Sequence, residues 1–365
     1  MDNRIKMIIN DKGLDALIIS DFYNMRYITG YSGDAGYAYI SGKRNVIITD
    51  SRYTVRAKEE ASGFDVAEIS ADRGYKATLS DLIKGDGAVN IGFEDKSISY
   101  ADYKLFCGLN KDEEDKKSGS AGGVCLVELG ESLNDLRQIK TLEEIEKIAN
   151  AEHIGDLAFK KIMDFIKPGM TELSVAAMLE LYMKDEGAEA LSFDTIVASG
   201  INSSKPHAVP GRKEIEVGDF VTMDFGCKYE GYCSDMTRTI VMGRASDKQR
   251  DVYNTVLEAQ QIALDMIKEG VACVDVDKTA RDYIDNKGYA GCFGHGLGHS
   301  VGLFIHESPA FNTKSKALLK KNMLETVEPG IYIEGFGGVR IEDLVVVTEE
   351  GYRNLTGSPK ELIIL

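Results

Sequence analysis

The sequence predicts an α/β protein of two domains, a smaller one followed by a larger one. Its 365 residues exceed the span over which a single hydrophobic core normally keeps growing. Short apolar runs alternate with helical stretches in the first third, whereas the remainder reads as helices, then strands, then a helix again. Hydrophobic residues make up 43% of the chain, enough to form two cores. We place the boundary between residues 132 and 133.

The first domain, residues 1–132, contains apolar runs of strand length. The predicted strands are Ala16–Ser20, Tyr37–Ile40, Asn45–Thr49 and Val89–Gly92. A helical stretch over Tyr53–Ser62 separates the third strand from the fourth. Between Gly108 and Gly123 the sequence turns polar and rich in small residues, which predicts an exposed loop before the boundary. This alternation is typical of a small α/β domain.

The second domain, residues 133–365, begins with a long helix. Thr141 and Glu144 have the spacing of a capping box, and apolar residues then recur at helical intervals as far as Ile166. Lys167-Pro168-Gly169 ends this helix. Two more helices are predicted over Thr171–Asp185 and Asp247–Lys268. Strand-like pieces lie between and after these helices.

Charge and composition exclude several classes of function. Forty-three basic residues against 59 acidic ones give a net charge of −16, which repels nucleic acids and anionic membrane surfaces. We found no apolar run of the length that a signal peptide or a membrane span needs, so a cytoplasmic location is expected. The six cysteines form no CxxC pair and indicate reduced thiols, not a zinc ribbon or a disulfide framework.

Five residues suited to hard divalent metal ions follow one another in the second domain. They are Asp224, Asp235, His299, Glu328 and Glu342. Four carboxylates and one imidazole suit a pair of ions, because carboxylates can bridge two metals and leave room for a bound hydroxide. The sequences that flank the four carboxylates are β-branched and apolar, which predicts that strands hold these residues. This set indicates a metal-dependent hydrolase.

The two aspartates are open to a second interpretation. The sequence between Asp224 and Asp235 reads as a strand, a tight turn at Glu230-Gly231 and a second strand, so a hairpin would bring the two carboxylates together. Like charges placed so close require a cation or a shared proton. Alternatively, Asp224 caps a turn and Asp235 pairs with Arg238.

The segment Gly291–Glu307 concentrates histidine. It holds His295, His299 and His306, three of the five histidines in the chain, among several glycines. This clustering indicates a site approached closely by the backbone, but not a phosphate-binding loop, because no strand precedes the glycines and no P-loop lysine follows. Further along, Arg340 lies two residues before Glu342, so we expect it on the same strand face, where it would orient a carboxylate.

Several strings in this order and spacing resemble the pita-bread metallopeptidases, in their Xaa-Pro aminopeptidase and prolidase branch. The catalytic strings are KPHAVPG, VTMDFGCKYEGYCSDMTRTI, GHGLGHSVGLFIHESP, EPGIYI and GGVRIED. RYITGYSGDAGYAYIS and VIITDSRYTVRAKEEA are similar to the creatinase-like amino-terminal domain of that branch. The resemblance spans nearly the whole chain. It implies a catalytic domain with a curved, mainly antiparallel sheet covered by helices.

The resemblance also implies roles for individual residues. Asp224 would bind one metal, Asp235 and Glu342 would bridge two, and His299 and Glu328 would bind the second. Glu328 would also shuttle a proton from the attacking bridging hydroxide to the leaving nitrogen. The substrate-binding residues would be His207, His295, His306 and Arg340. Mn²⁺ is the expected ion, with Co²⁺ or Zn²⁺ as alternatives, and a homodimer acting on small peptides is the expected assembly.

Four functions compete within this resemblance. The strings GYSGDAGYAYIS and ITDSRY favour an Xaa-Pro aminopeptidase, which trims longer peptides, over an Xaa-Pro dipeptidase, or prolidase. A methionine aminopeptidase would not need the amino-terminal domain. A paralogue that binds peptides or partners without catalysis would lack metal ligands, whereas this chain has all five.

Overall fold

The structure is a computed structural model that describes residues 3–110 and 123–365. The chain divides into two compact units, Met1–Arg137 and Gln138–Leu365. Most of the loop predicted between Gly108 and Gly123 lies outside the described residues. Within the described residues, no helix is both long enough and apolar enough to span a membrane.

The first unit contains a mixed sheet of six strands in the order β4-β3-β2-β1-β5-β6. The strands are β1 Ala16–Ile19, β2 Tyr37–Ser41, β3 Asn45–Thr49, β4 Asp65–Glu68, β5 Asn90–Phe93 and β6 Cys125–Glu128. The helices are α1 Asn3–Asp11, α2 Phe22–Thr29, α3 Thr54–Glu60, α4 Tyr75–Asp86 and α5 Tyr100–Cys107, followed by a 3₁₀ turn at Asn134–Arg137. The predicted α/β class is therefore confirmed, although the sequence analysis identified only α3 among these helices.

Strand β1 shows why the first unit reads as short, continuous apolar runs. Leu17 and Ile19 belong to one hydrophobic cluster, whereas Ala16 and Ile18 belong to another. Successive side chains of a strand point to opposite faces, so both faces of the sheet are covered. A strand buried on both faces needs apolar residues at every position.

The second unit is built from antiparallel strand pairs and four longer helices. The helices are α6 Leu142–Phe165, α7 Glu172–Asp185, α8 Asp247–Met266 and α9 Cys273–Ile284. The strands are β7 Ala190–Leu191, β8 Ile196–Ser199, β9 Phe220–Phe225, β10 Cys227–Tyr229, β11 Tyr232–Cys233, β12 Met236–Val241, β13 Gly298–Ser300, β14 Glu307–Phe311, β15 Leu324–Val327, β16 Gly330–Ile333, β17 Gly337–Arg340, β18 Asp343–Val347 and β19 Tyr352–Asn354. Every ladder between these strands is antiparallel, as the predicted class requires.

The helix signals of the second unit are confirmed. Thr141 and Glu144 form the predicted capping box at the start of α6. The side chain of Thr171 accepts a hydrogen bond from the Ser174 amide and caps α7. Helix α8 ends at Met266, two residues before the predicted end. The sequence analysis did not identify α9.

One tight turn and two antiparallel ladders position the acidic residues. The predicted tight turn is present between β10 and β11, with positive φ at Glu230 (47°) and Gly231 (85°). Strands β9 and β12 pair so that Asp224 lies opposite Thr237. In the ladder of β15 with β18, Val327 lies opposite Asp343. The chain segments that carry the acidic residues therefore meet at neighbouring strand ends.

Candidate metal centre

The five metal-ligand candidates converge, although they are far apart in the sequence. One carboxylate oxygen from each of Asp224, Asp235 and Glu342 lies within 4.8 Å of the other two. The Nε2 atom of His299 lies 3.5 Å from Asp235 Oδ2 and 3.6 Å from Glu328 Oε1. Backbone pairing thus gathers four carboxylates and one imidazole into one cluster, which we call the acidic cluster.

Only one of the four acidic residues of the cluster lies within a strand, which corrects the expectation that strands hold all four. Asp224 is in β9 and His299 is in β13. Asp235, Glu328 and Glu342 each occupy the residue just before or after a strand. Glu328 precedes Pro329, which has no N–H for a ladder, so the strand pairing is interrupted there.

The acidic cluster holds more negative than positive charge. Arg340 pairs with Asp224 at 2.6 Å, but Oδ1 of Asp224 and Oε1 of Glu342 are buried without a hydrogen-bond partner among the described residues. Burial raises the pKa of Asp235 and of Glu342 well above the usual range, and neighbouring carboxylates add to the effect. Burial also raises the pKa of Glu328 to about 8. Oxygen atoms that lack partners and repel one another fit a site for divalent cations.

Threonine side chains hold the glutamates of the acidic cluster in place. The hydroxyl of Thr237 donates a hydrogen bond to Glu342 Oε2 at 2.7 Å. The Thr326 hydroxyl lies 3.3 Å from Glu328 Oε1 and accepts a hydrogen bond from the His299 amide. The sequence analysis missed both threonines. Thr326 lies two residues before Glu328, and in an extended chain this spacing places both side chains on one side, so the sequence could have predicted their contact.

Burial disfavours the protonated forms of His299 and His306 and lowers the pKa of both. Burial, together with the neighbouring His306, lowers the pKa of His299 to about 4. Nδ1 of His299 lies 3.1 Å from the Ser300 carbonyl, which must accept a hydrogen bond and so leaves Nε2 free to act as a ligand. Burial and His207 lower the pKa of His306, whose ring centroid lies 4.6 Å from that of His299.

Arg340 orients a carboxylate, as predicted, and that carboxylate is Asp224. The predicted strand face shared with Glu342 is not present. Strand β17 ends at Arg340, and Glu342 lies beyond it, so the two residues do not share a strand face. The Arg340 guanidinium also donates to the hydroxyl of Tyr332, at 2.8 Å. Nε2 of His295 lies 3.0 Å from that same hydroxyl. The sequence analysis missed Tyr332, which links His295 to Arg340.

The alternative interpretation of the two aspartates is wrong. Arg238 forms its ion pair with Asp343, at 2.9 Å, and not with Asp235. Asp224 caps no turn, because it lies within the β9 ladder opposite Thr237 and Ile196. Consecutive side chains of β12 point to opposite faces, so Arg238 points away from the acidic cluster.

A cavity of about 560 Å³ opens onto the acidic cluster. Its walls include all five metal-ligand candidates and all four predicted substrate-binding residues, His207, His295, His306 and Arg340. Apolar side chains form much of the remaining wall, among them Phe193, Ile196, Val209, Pro210 and Phe311. A concave, largely apolar pocket with a few convergent polar groups suits a small organic ligand.

Comparison with known proteins adds to this description. Residues 146–349 match the model of metallopeptidase family M24, and residues 3–120 match the creatinase/prolidase N-terminal domain. An Xaa-Pro dipeptidase of Pyrococcus furiosus is 37% identical over 367 residues, which covers 100% of both chains. A structure of an Xaa-Pro dipeptidase from Bacillus anthracis is 41% identical, with a TM-score of 0.93 and coverage of 100% and 98%. An X-Pro aminopeptidase from Thermotoga maritima is 37% identical, with a TM-score of 0.89 and coverage of 100% of both chains.

Proposed function

The chain belongs to metallopeptidase family M24, and from this premise we propose that it is a metal-dependent exopeptidase that hydrolyses Xaa-Pro bonds. The acidic cluster carries this proposal. Three carboxylate residues whose ligand atoms lie within 4.8 Å of one another, beside a neutral imidazole, form the donor set that a pair of divalent ions needs. The amino-terminal domain argues against a methionine aminopeptidase, and the intact donor set argues against a paralogue that only binds peptides.

In this proposal the acidic cluster binds two ions. Asp224 would hold one ion, His299 and Glu328 would hold the other, and Asp235 and Glu342 would contribute to both. When bound, such ions lower the pKa of water and polarise a peptide carbonyl. The two oxygens without partners, on Asp224 and Glu342, are the atoms that most need this positive charge.

The residues of the chain perform the proton transfers and hold the substrate. Glu328 accepts a proton from the attacking water and delivers it to the leaving proline nitrogen. Its hydrogen bond with Thr326 keeps the carboxylate directed into the cavity. His207 and His306 line the same cavity and contact the peptide and the oxyanion that forms during attack. His295 and Arg340 shape the pocket for the proline residue.

The substrate follows from the chemistry of proline. An Xaa-Pro bond has no N–H, so a peptidase that reads this hydrogen atom cannot recognise it. A pocket with apolar walls such as Phe193 and Phe311 can recognise the ring by its shape. We place dipeptides first, because the Xaa-Pro dipeptidase from Bacillus anthracis is more similar to this chain than the Thermotoga enzyme is, with 41% against 37% identity and a TM-score of 0.93 against 0.89. An Xaa-Pro aminopeptidase is the second candidate, on the likeness to the Thermotoga enzyme and on the strings GYSGDAGYAYIS and ITDSRY.

One assay tests the proposal and ranks the two candidates. The purified protein is loaded with Mn²⁺ and given an Xaa-Pro dipeptide, an Xaa-Pro-Yaa tripeptide and a Met-Ala peptide. We expect metal-dependent release of proline from the dipeptide, which a chelator abolishes. Preferential cleavage of the tripeptide would make the protein an aminopeptidase. Cleavage of Met-Ala alone, or no cleavage of any of the peptides, would overturn the proposal.

The metal, the assembly and the location complete the proposal. We expect Mn²⁺ in vivo, with Co²⁺ or Zn²⁺ able to replace it in vitro, because carboxylate and imidazole ligands accept all three ions. We also expect a cytoplasmic homodimer. Elemental analysis of protein purified without added metal, together with light scattering, measures the ion and the assembly.

A further inference from the structure

Helix α9 contacts the histidine-bearing segment, Gly291–Glu307, through an ion pair whose carboxylate is buried and whose guanidinium is partly exposed. Asp277 is fully buried, and Arg281, one turn further along the helix, binds its carboxylate through Nε at 3.0 Å and Nη2 at 2.8 Å. The guanidinium also lies 4.3 Å above the centre of the Phe293 ring. Such a bidentate ion pair is rigid, because both side chains are fixed by more than one contact.

This ion pair also binds three backbone groups at alternate positions of the adjacent segment. Arg281 donates to the carbonyl of Phe293 and to the carbonyl of His295, each at 2.7 Å. Asp277 Oδ1 accepts a hydrogen bond from the amide of Leu297 at 3.0 Å. Alternate backbone groups are those that a neighbouring strand would pair. The two side chains of α9 therefore replace a missing strand at the edge that leads into β13.

From this segment a chain of hydrogen bonds runs to the acidic cluster. Nδ1 of the His295 ring lies 2.8 Å from the Gly296 carbonyl, so Nδ1 must carry the proton and Nε2 must be the acceptor. The Tyr332 hydroxyl then donates to Nε2, at 3.0 Å, while it accepts from Arg340. Arg340 in turn binds Asp224. The orientation of the His295 ring thus depends on where the backbone of His295 is held.

We propose that Asp277 and Arg281 are positioning residues: they fix the backbone of residues 293–297 and so place His295 at the wall of the substrate cavity. His299, by contrast, is held by Thr326 and by the Ser300 carbonyl, which α9 does not contact through this pair. We therefore expect the two residues of the ion pair to act mainly on substrate fit, through His295, because neither side chain contacts a proposed metal ligand. The assignment of His295 to the substrate rests on the proposed function, whereas the contacts of the ion pair with the segment do not.

The chain offers a matched control on the same helix. Lys278 and Asp282 form an ion pair with the same spacing of four residues, but both side chains are more than half exposed, at 64% and 53%. No hydrogen bond from either side chain reaches residues 293–297. Lys278→Ala therefore removes an ion pair from α9 without removing a contact to the histidine-bearing segment.

The first experiment is hydrogen exchange on the intact, metal-loaded protein, followed by mass spectrometry of a fragment spanning residues 291–299. We expect Arg281→Lys and Asp277→Asn to accelerate exchange in this fragment, because the Leu297 amide and its neighbours lose their fixed partners. Lys278→Ala should exchange like the wild type. Unchanged exchange in both ion-pair variants would overturn the proposal, even if the protein cleaves no Xaa-Pro peptide.

The second experiment separates positioning from general stability by steady-state kinetics. Arg281→Lys should raise KM for an Xaa-Pro dipeptide about tenfold, the order expected when a binding group is displaced by a fraction of an ångström. Its metal content should stay equal to that of the wild type. In a His295→Gln background Arg281→Lys should raise KM little further, because both substitutions remove the same contribution of His295 to substrate binding. Loss of metal, or full additivity of the two substitutions, would refute the positioning role.

Discussion

Two adjacent acidic residues, Glu342 and Asp343, enter opposite electrostatic environments. Glu342 points into the acidic cluster, where its buried Oε1 atom has no hydrogen-bond partner in the part of the chain that the structure describes. Asp343 points the other way and is bound by Arg238 at 2.9 Å and by Lys360 at 2.8 Å. Both carboxylates are almost completely buried, at 1% and 0% exposure. Burial alone therefore does not distinguish a site from a structural ion pair.

Arg238, Asp343 and Lys360 form what we call the basic pocket, in which the charged groups pair with one another. Every N–H of Arg238 is used, on carbonyls of Thr237, Glu342, Ser358 and Pro359 and on Asp343. The acidic cluster has a single arginine for four carboxylates. A protein neutralises the buried charge that it uses for structure, and it leaves without partners the charge that a ligand must neutralise.

Replacing one carboxylate in each environment should distinguish the two environments most clearly. Asp235→Asn removes a ligand shared by both ions, so peptide hydrolysis should fall by about 10³-fold or more, since such ions supply several kcal/mol of transition-state stabilisation. Bound metal should drop below two ions per chain. The metal-free variant should be no less stable than the metal-free wild type, because one of several repelling charges is gone. Denaturant unfolding measures the stability, and elemental analysis measures the bound metal. A variant that keeps two ions and full activity would show that Asp235 is not a metal ligand.

The matching substitution in the basic pocket should act on stability instead. Asp343→Asn leaves the buried Arg238 and the half-buried Lys360 beside a neutral amide, so the free energy of unfolding should decrease by about 3 kcal/mol. The fraction that remains folded at low temperature should keep two ions and nearly normal KM. Denaturant titration gives the first quantity. A variant as stable as the wild type would show that the ion pair does not hold this part of the fold.

These environments also show how far the sequence could lead. The acidic residues themselves were identifiable, because each one stands in a string with glycine, proline or a second polar residue at fixed spacing. Their partners were not. Arg238 lies three residues from Asp235 yet pairs with Asp343, more than a hundred residues away, since strand alternation and not sequence distance decides which face it joins. Tyr332 and the ion pair of α9 were missed for the same reason.

The fold was predictable to a similar depth. Capping signals located α6 and α7, because a cap is a local interaction between residues three apart. Helix α9 carries no such signal: its N-cap is Ala272, whose side chain makes no capping hydrogen bond. The strand breaks at Asp235 and Glu342 also have no local signature, since they arise where a strand leaves one partner for another.

Metal itself should stabilise the protein through the acidic cluster alone. At a free Mn²⁺ concentration about a hundredfold above Kd, binding to the folded state adds roughly 2.7 kcal/mol to the free energy of unfolding. The thermal midpoint should rise on addition of Mn²⁺ and return with a chelator. Asp343→Asn should show the same increment from its lower starting point, whereas Asp235→Asn should show little. An equal increment in both variants would mean that the stabilising ion binds elsewhere.

The smallest expected effect compares the two arginines, one on each side of the β12 strand. Arg340→Lys keeps a charge near Asp224 but loses the planar fork that also holds Tyr332, so kcat/KM for an Xaa-Pro dipeptide should fall about tenfold while unfolding changes little. Arg238→Lys cannot reproduce five hydrogen bonds with three donors, so stability should fall while kcat/KM of the folded protein is retained. Kinetics and denaturant titration on both variants test this crossed pattern. This pattern would be contradicted if Arg340→Lys destabilised the fold more than Arg238→Lys, because Arg340 would then stabilise the fold more than Arg238 does.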